Sequence, residues 1–142
     1  MGRRERERGK RGERLWRDWL KQHLGCEDAK RGQQRSGLEQ ADVVNGVPGT
    51  WVEVKFVEAL QWHKALEQAN RDAERAGSIP YLTSKRASES WKITLFAEHL
   101  KPLAVAVVRH CLRKGLLSLA DITHDPNPQI MKVWRDRGSL EG

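Results

Sequence analysis

The chain has 142 residues, 38% of them hydrophobic and 32% charged, with a formal net charge of +7. That length supports one domain with its own core and is too short for two. The longest uninterrupted apolar run, Leu103 to Val108, cannot span a bilayer, and no signal peptide is expected ahead of the basic N-terminus. Cys26 and Cys111 lie far apart, without a CxxC or a matching His spacing, and read as reduced thiols that bind no metal in a cytoplasmic protein.

The charge is concentrated at one end. Residues 1–35 hold twelve Lys/Arg against six Asp/Glu, and the rest of the chain holds fourteen against thirteen. A local basic block implies a polyanionic partner, and nucleic acid is the default. The competing reading is a solvated tail, which the interspersed Glu5 and Glu7 allow.

In chain order, residues 1–11 carry Arg3, Arg4, Arg6, Arg8, Lys10 and Arg11 and no apolar anchor, and are expected to be a flexible arm that orders on meeting phosphate. A helix is expected from Gly12 to Leu24, capped by Gly25. At about 100° per residue, Leu15, Trp16, Trp19, Leu20 and Leu24 form its apolar stripe, and Glu13 sits on the stripe's edge beside Leu20 and Leu24. An unpaired carboxylate there is costly, so Glu13 needs a cation or an arginine. A first-turn Glu favoured by the helix dipole is the alternative. The polar stretch 26–40 contains a short expected strand over Ala29–Gln34. It leads directly into the next segment, so Arg31, Arg35 and Ser36 are well placed to hold phosphate close to it.

That segment is the most informative in the chain. Ala41-Asp42-Val43-Val44 and Thr50-Trp51-Val52-Glu53-Val54-Lys55-Phe56-Val57 flank Asn45-Gly46-Val47-Pro48-Gly49, a turn whose Asn-Gly and Pro-Gly pairs suit a β-hairpin. Alternation puts Glu53 and Lys55 on one strand face, with Trp51 and Val57, and Val52, Val54 and Phe56 on the other. Two carboxylates and an amine at one end of a hairpin, in a basic chain, are the chemistry of a metal-dependent phosphodiesterase. Glu and Lys on a solvated strand face are the bland alternative.

A helix is expected from Leu60 to Ala76, stopped by Gly77. Trp62, Leu66, Ala69, Ala73 and Ala76 form its inner face, and Lys64, Gln68, Arg71 and Arg75 its polar one. Pro80–Ser84 and Trp91–Leu95 read as two further strands, and 97–114 as a third helix with Leu100, Leu103, Ala104, Val107, Val108 and Cys111 on its apolar side. Residues 12–123 thus read as a single domain, and 124–142 as a tail or short helix.

Glu13, Asp42, Glu53 and Lys55, in the order helix, strand, hairpin, strand, helix, resemble the PD-(D/E)xK nuclease superfamily. Within it the chain is similar to the archaeal-type Holliday junction resolvases and their phage relatives. Lys10-Arg11-Gly12-Glu13-Arg14 looks like the start of their first helix, Arg35-Ser36-Gly37 resembles their loop before the catalytic Asp, and Glu53-Val54-Lys55 matches their catalytic strand. The resemblance covers residues 8–96; Ala41 stands where the usual Pro precedes the Asp, and 97–142 is not covered.

The resemblance implies a restriction-endonuclease-like α/β fold, a central mixed sheet flanked by helices. Asp42, Glu53 and the Val54 carbonyl would hold Mg²⁺, with Mn²⁺ able to substitute. Glu13 would complete the site directly or through water, and Lys55 would orient the attacking water. Arg3, Arg4, Arg6, Arg8, Lys10, Arg11, Arg14, Arg31, Arg35, Ser36 and Gln68 would contact DNA. The implied activity is resolution of four-way junctions by paired nicks, leaving 5′-phosphate and 3′-hydroxyl ends. The implied assembly is a homodimer, in the cytoplasm, or the host cytoplasm for a phage-encoded member. A restriction- or repair-type endonuclease of the same superfamily, or a non-catalytic nucleic-acid-binding module, are the rival readings.

Overall fold

The computed structural model describes residues 2–35 and 38–123, with the main chain alone at 34, 35, 38 and 39. The chain opens with α1 (Arg3–Leu24), then β1 (Lys30–Arg31), β2 (Gln34–Arg35), β3 (Leu38–Glu39), β4 (Val43–Val44) and β5 (Thr50–Phe56). It continues with α2 (Trp62–Ala76), β6 (Ile79–Lys85), β7 (Lys92–Thr94), a 3₁₀ turn at Ala97–His99, α3 (Leu100–Arg113) and α4 (Leu119–Thr123).

Five strands form a mixed sheet in the order β1-β4-β5-β6-β7. The β4–β5 hairpin is antiparallel, with Val43 opposite Val52. Asn45 at φ 59° and Gly49 at φ 83° take the left-handed conformations its turn requires. The crossover from β5 through α2 makes β6 parallel to β5, pairing Val52 with Tyr81 and Glu53 with Leu82. β2 and β3 form a separate two-stranded hairpin.

Because side chains alternate, the two faces of β5 feed two cores. Val52, Val54 and Tyr81 join Trp16, Leu20, Val43 and Val47 on the face covered by α1, against which Leu103 and Val107 of α3 also pack. Leu82, on the face that carries Glu53, packs with Ala65 and Leu66 of α2. The expected α/β architecture, a mixed sheet flanked by helices, is therefore present. Trp16 anchors the first core: it is 2% exposed, its Nε1–H donates to the Tyr81 hydroxyl at 3.2 Å, and Trp19 stacks on it at 4.7 Å.

Gly12 decides how closely α1 approaches the sheet. A Cβ there would lie 2.5 Å from the Phe56 Cβ, so only glycine lets the helix settle on the end of β5. The next residue is Glu13.

Several boundaries differ from the sequence reading. α1 begins at Arg3, so the arm expected to be flexible is its first turns, and the boundary drawn between 11 and 12 falls inside one helix. The alternating Arg, Glu and Lys residues are good helix formers, and Glu5 accepts the Gly2 N–H at 3.0 Å, which outweighs the lack of an apolar anchor. The first strand is shorter than expected, Lys30–Arg31. α2 starts at Trp62, whose ring is half exposed (51%) rather than on the inner face, which Ala65, Leu66, Ala69 and Ala73 fill. Residues 97–99 form a 3₁₀ turn ahead of α3, and a short helix, α4, follows Gly115, where no element was expected. The expected tail or helix at 124–142 lies outside the described residues. Among those described, no helix is long and apolar enough to cross a membrane.

Candidate active site

The site forms where the chain enters β4 beside β5. Asp42 sits at a bend: its N–H reaches Val52 O at 3.2 Å, while its own carbonyl receives Gly32 N–H at 2.9 Å on the β1 side. A regular strand residue sends both groups to the same neighbour, so the chain turns here and re-aims the side chain. Gly32 allows the close pass, since a Cβ would collide with the Ala41 carbonyl. The bend brings Asp42 Oδ2 onto the Val54 N–H at 2.8 Å, the bond a continuing strand would have made. The Val54 carbonyl leaves β5 on that same edge, next to Asp42.

Glu53 and Lys55 share the other face of β5, as alternation predicts. Glu53 is buried at 7% exposure, and Lys55 Nζ lies 3.1 Å from its Oε1. From α1, Glu13 is held by Arg31 Nε at 2.7 Å, and Arg31 in turn pairs across from Val43, next to Asp42. The arginine partner that the position of Glu13 demands is thus Arg31, and Arg31, expected on phosphate, is engaged with a carboxylate.

The electrostatics are those of crowded carboxylates. Burial first, then the charge of Glu53 and to a smaller degree of Glu13, push the Asp42 carboxyl up to about 7, against the opposing Val54 N–H bond and Lys55. Glu53 is also raised, mainly by burial; Lys55 opposes this, and Asp72 and Glu13 add to it. Asp72, on α2, is therefore a fourth carboxylate within electrostatic reach of Glu53, and it was missed in the sequence. The readable signal was its wheel position at the rim of the Ala65/Ala69/Ala73 face, the face turned to the sheet.

The other expected contacts divide. Arg3, Arg4 and Arg6 are exposed on the outer turns of α1, with Arg3 about 15 Å along the helix from Glu13. Arg8 reaches Glu58 at 3.5 Å, Lys10 pairs with Glu7 at 3.4 Å, and Arg11 lies over the Phe56 ring at 5.6 Å. Arg14 is exposed, and Gln68 is exposed on α2 one turn before Asp72. Arg35 belongs to β2, where the main chain alone is described, and Ser36 lies outside the described residues.

Among the described residues, no three His, Cys, Asp or Glu side chains already form a metal cage. The donor chemistry nonetheless fits a hard divalent cation. Asp42 and Glu53 each commit one oxygen within the protein and keep the second, the Val54 carbonyl emerges beside them, and their mutual repulsion is what a cation relieves. The chain matches no protein-family model, no curated protein and no solved structure, so the chemistry of the site carries the functional argument.

Proposed function

We propose that this protein is a divalent-metal-dependent DNA endonuclease that acts on branched DNA, cutting four-way junctions by paired symmetric nicks as a homodimer. The observation that carries the reading is the bend at Asp42, which sets its carboxylate on the Val54 N–H beside Glu53 and Lys55. A surface strand with ornamental charges has no reason to bury Glu53 or to break the β4 ladder in favour of an aspartate side chain.

In this reading Asp42, Glu53 and the Val54 carbonyl hold Mg²⁺, with Mn²⁺ as a substitute, and Glu13 adds a ligand directly or through water. A bound cation supplies an acidified water and neutralises charge that develops on the phosphate. Lys55, held against Glu53, is placed to position the attacking water and to stabilise the phosphate oxygens as they gain charge. Arg31 is placed to trade Glu13 for a phosphate, and Arg14 and Gln68 present further exposed contacts.

One observation favours a second reading, a non-catalytic nucleic-acid-binding module: Glu13 is already neutralised by Arg31, and Glu53 by Lys55. Glu53→Gln separates the two. The endonuclease reading requires cleavage of labelled junction in Mg²⁺ to be lost while junction binding in EDTA stays equal or tightens, because one repulsive charge has gone. A binding module shows no cleavage in either form.

A further inference from the structure

The structure sorts the cations of α1 into two rows. Arg8 and Arg11, at i and i+3, engage the body of the protein, where Arg8 meets Glu58 and Arg11 covers Phe56. Arg6, Lys10, Arg14, Arg17 and Lys21 step by four, four, three and four residues, so they fall within about 80° of one another on the outer side. This second row spans about 22 Å at 1.5 Å per residue. Arg6, Lys10, Arg14 and Lys21 are exposed, and the Arg17 side chain is 29% exposed.

The row passes the active site at its middle. Lys10 and Arg17 are the i−3 and i+4 neighbours of Glu13, one turn to either side of it. Glu13 is tied through Arg31 to the strand edge that carries Asp42. The acids along the row are Glu7, which pairs with Lys10 at 3.4 Å, Asp18, which pairs with Arg17 at 2.9 Å, and Glu13 itself. The Glu7 and Asp18 pairs are exposed on their acidic side, and such pairs exchange readily for a phosphate.

We propose that Arg6, Lys10, Arg14, Arg17 and Lys21 form a rail that holds the backbone of a double-helical arm across the site, with Glu13 at its midpoint. The rail's length matches six to seven base pairs, at about 3.4 Å of axis each. Three of its five cations are arginines, whose guanidinium fork matches phosphate oxygens. An anionic membrane is the poorer fit: the row is bordered by Glu7 and Asp18 rather than by the large apolar residues a helix would insert into lipid. The inference rests on the nucleic-acid reading above for its partner, and it adds Arg17 and Lys21 while removing Arg8 and Arg11 from the contact surface.

The test is the salt dependence of binding to a 20-base-pair duplex in EDTA, where cleavage does not enter. Arg6→Gln/Lys10→Gln and Arg17→Gln/Lys21→Gln should each lower the slope of log affinity against log salt by nearly two, at about 0.9 per phosphate contact. Arg8→Gln/Arg11→Gln, with the same charge change on the same helix, should leave it unaltered. Restoring charge with Arg17→Lys in the distal pair should recover about half of that pair's loss, which separates a charge effect from a folding defect. Unchanged slopes in either rail pair, or an equal fall in the Arg8/Arg11 control, overturn the rail. So does a loss confined to vesicles of anionic lipid, run as a parallel arm. A protein that binds along the rail but never cleaves contradicts the endonuclease reading and leaves the rail standing. One that cleaves with unaltered slopes does the reverse.

Discussion

At the residue scale, Asp42 carries the most tension. Its carboxyl titrates near 7 in the folded protein, against an ordinary value of 3.8, so between those pH values the folded state holds more protons than the unfolded one. Stability therefore falls as pH rises from about 4 to about 7, and reaches its low plateau above that. Asp42→Asn keeps an oxygen for the Val54 N–H and removes the charge. In EDTA at pH 8 it should raise stability by on the order of 1–3 kcal/mol, with the advantage shrinking as pH falls towards 4. Chemical denaturation at the two pH values checks this, and a mutant less stable than wild type at pH 8 would contradict the electrostatic account. Adding Mg²⁺ at pH 8 should stabilise wild type and not the mutant. Asp42, Glu53 and Lys55 were legible because strand alternation and turn chemistry are local rules. Asp72 was legible only as a rim position of α2; that α2 crosses the sheet face carrying Glu53 is a tertiary fact no local period encodes.

At the element scale, α1 does two jobs with one helix. Its inner turns bury Trp16 and Leu20, and its outer turns carry charge beyond the sheet, with every residue from Gly2 to Arg11 exposed. The lack of an apolar anchor before Gly12 suggested a flexible arm. Helix propensity and continuity with a well-anchored inner half extend the helix instead. Deletion of residues 1–11 should reduce the far-UV helical signal as well as the salt slope of DNA binding, and an unchanged spectrum would contradict a helical arm. Gly12→Val tests the seating of α1 on β5. The added side chain meets Phe56 and should cost about 1–3 kcal/mol of stability, read by denaturation. It should also lower cleavage further than stability alone explains, because Glu13 moves with the helix. The turn at 45–49 and the stop at Gly77 were readable directly, since Asn, Gly and Pro impose their own backbone angles. The start of α2 was misplaced by two residues because Gln61 offers no side-chain cap to mark it.

At the scale of the whole molecule, the sheet and its covering helices were readable from the alternation of strand and helix periods, and the mixed order β1-β4-β5-β6-β7 follows from a hairpin succeeded by one helical crossover. How the elements share the site was not readable: Asp42 meets the edge of β5 from the bend before β4 and Glu13 comes from α1, whereas Glu53, Lys55 and Asp72 belong to β5 and α2. Paired nicks on opposing strands need two such sites related by a two-fold axis. Sedimentation at micromolar concentration should accordingly give a particle of twice 16.3 kDa. Leu100 at 61% and Val105 at 39% exposure leave apolar surface on α3 for that contact. A 16.3 kDa particle with and without junction would contradict paired nicking and favour a single-nick endonuclease.

Metal-dependent phosphodiester cleavage by the Asp42 and Glu53 carboxylates is open to a single assay. Labelled four-way junction, matched duplex and single strand are incubated with wild type, Asp42→Asn and Glu53→Gln, each in Mg²⁺ and in EDTA. Expected are symmetric nicks in the junction with wild type in Mg²⁺, none in EDTA, and a loss of at least about 100-fold in both mutants, with junction binding retained. Cleavage by either mutant within a few-fold of wild type, or no cleavage of any substrate by wild type in Mg²⁺ or Mn²⁺, would contradict it.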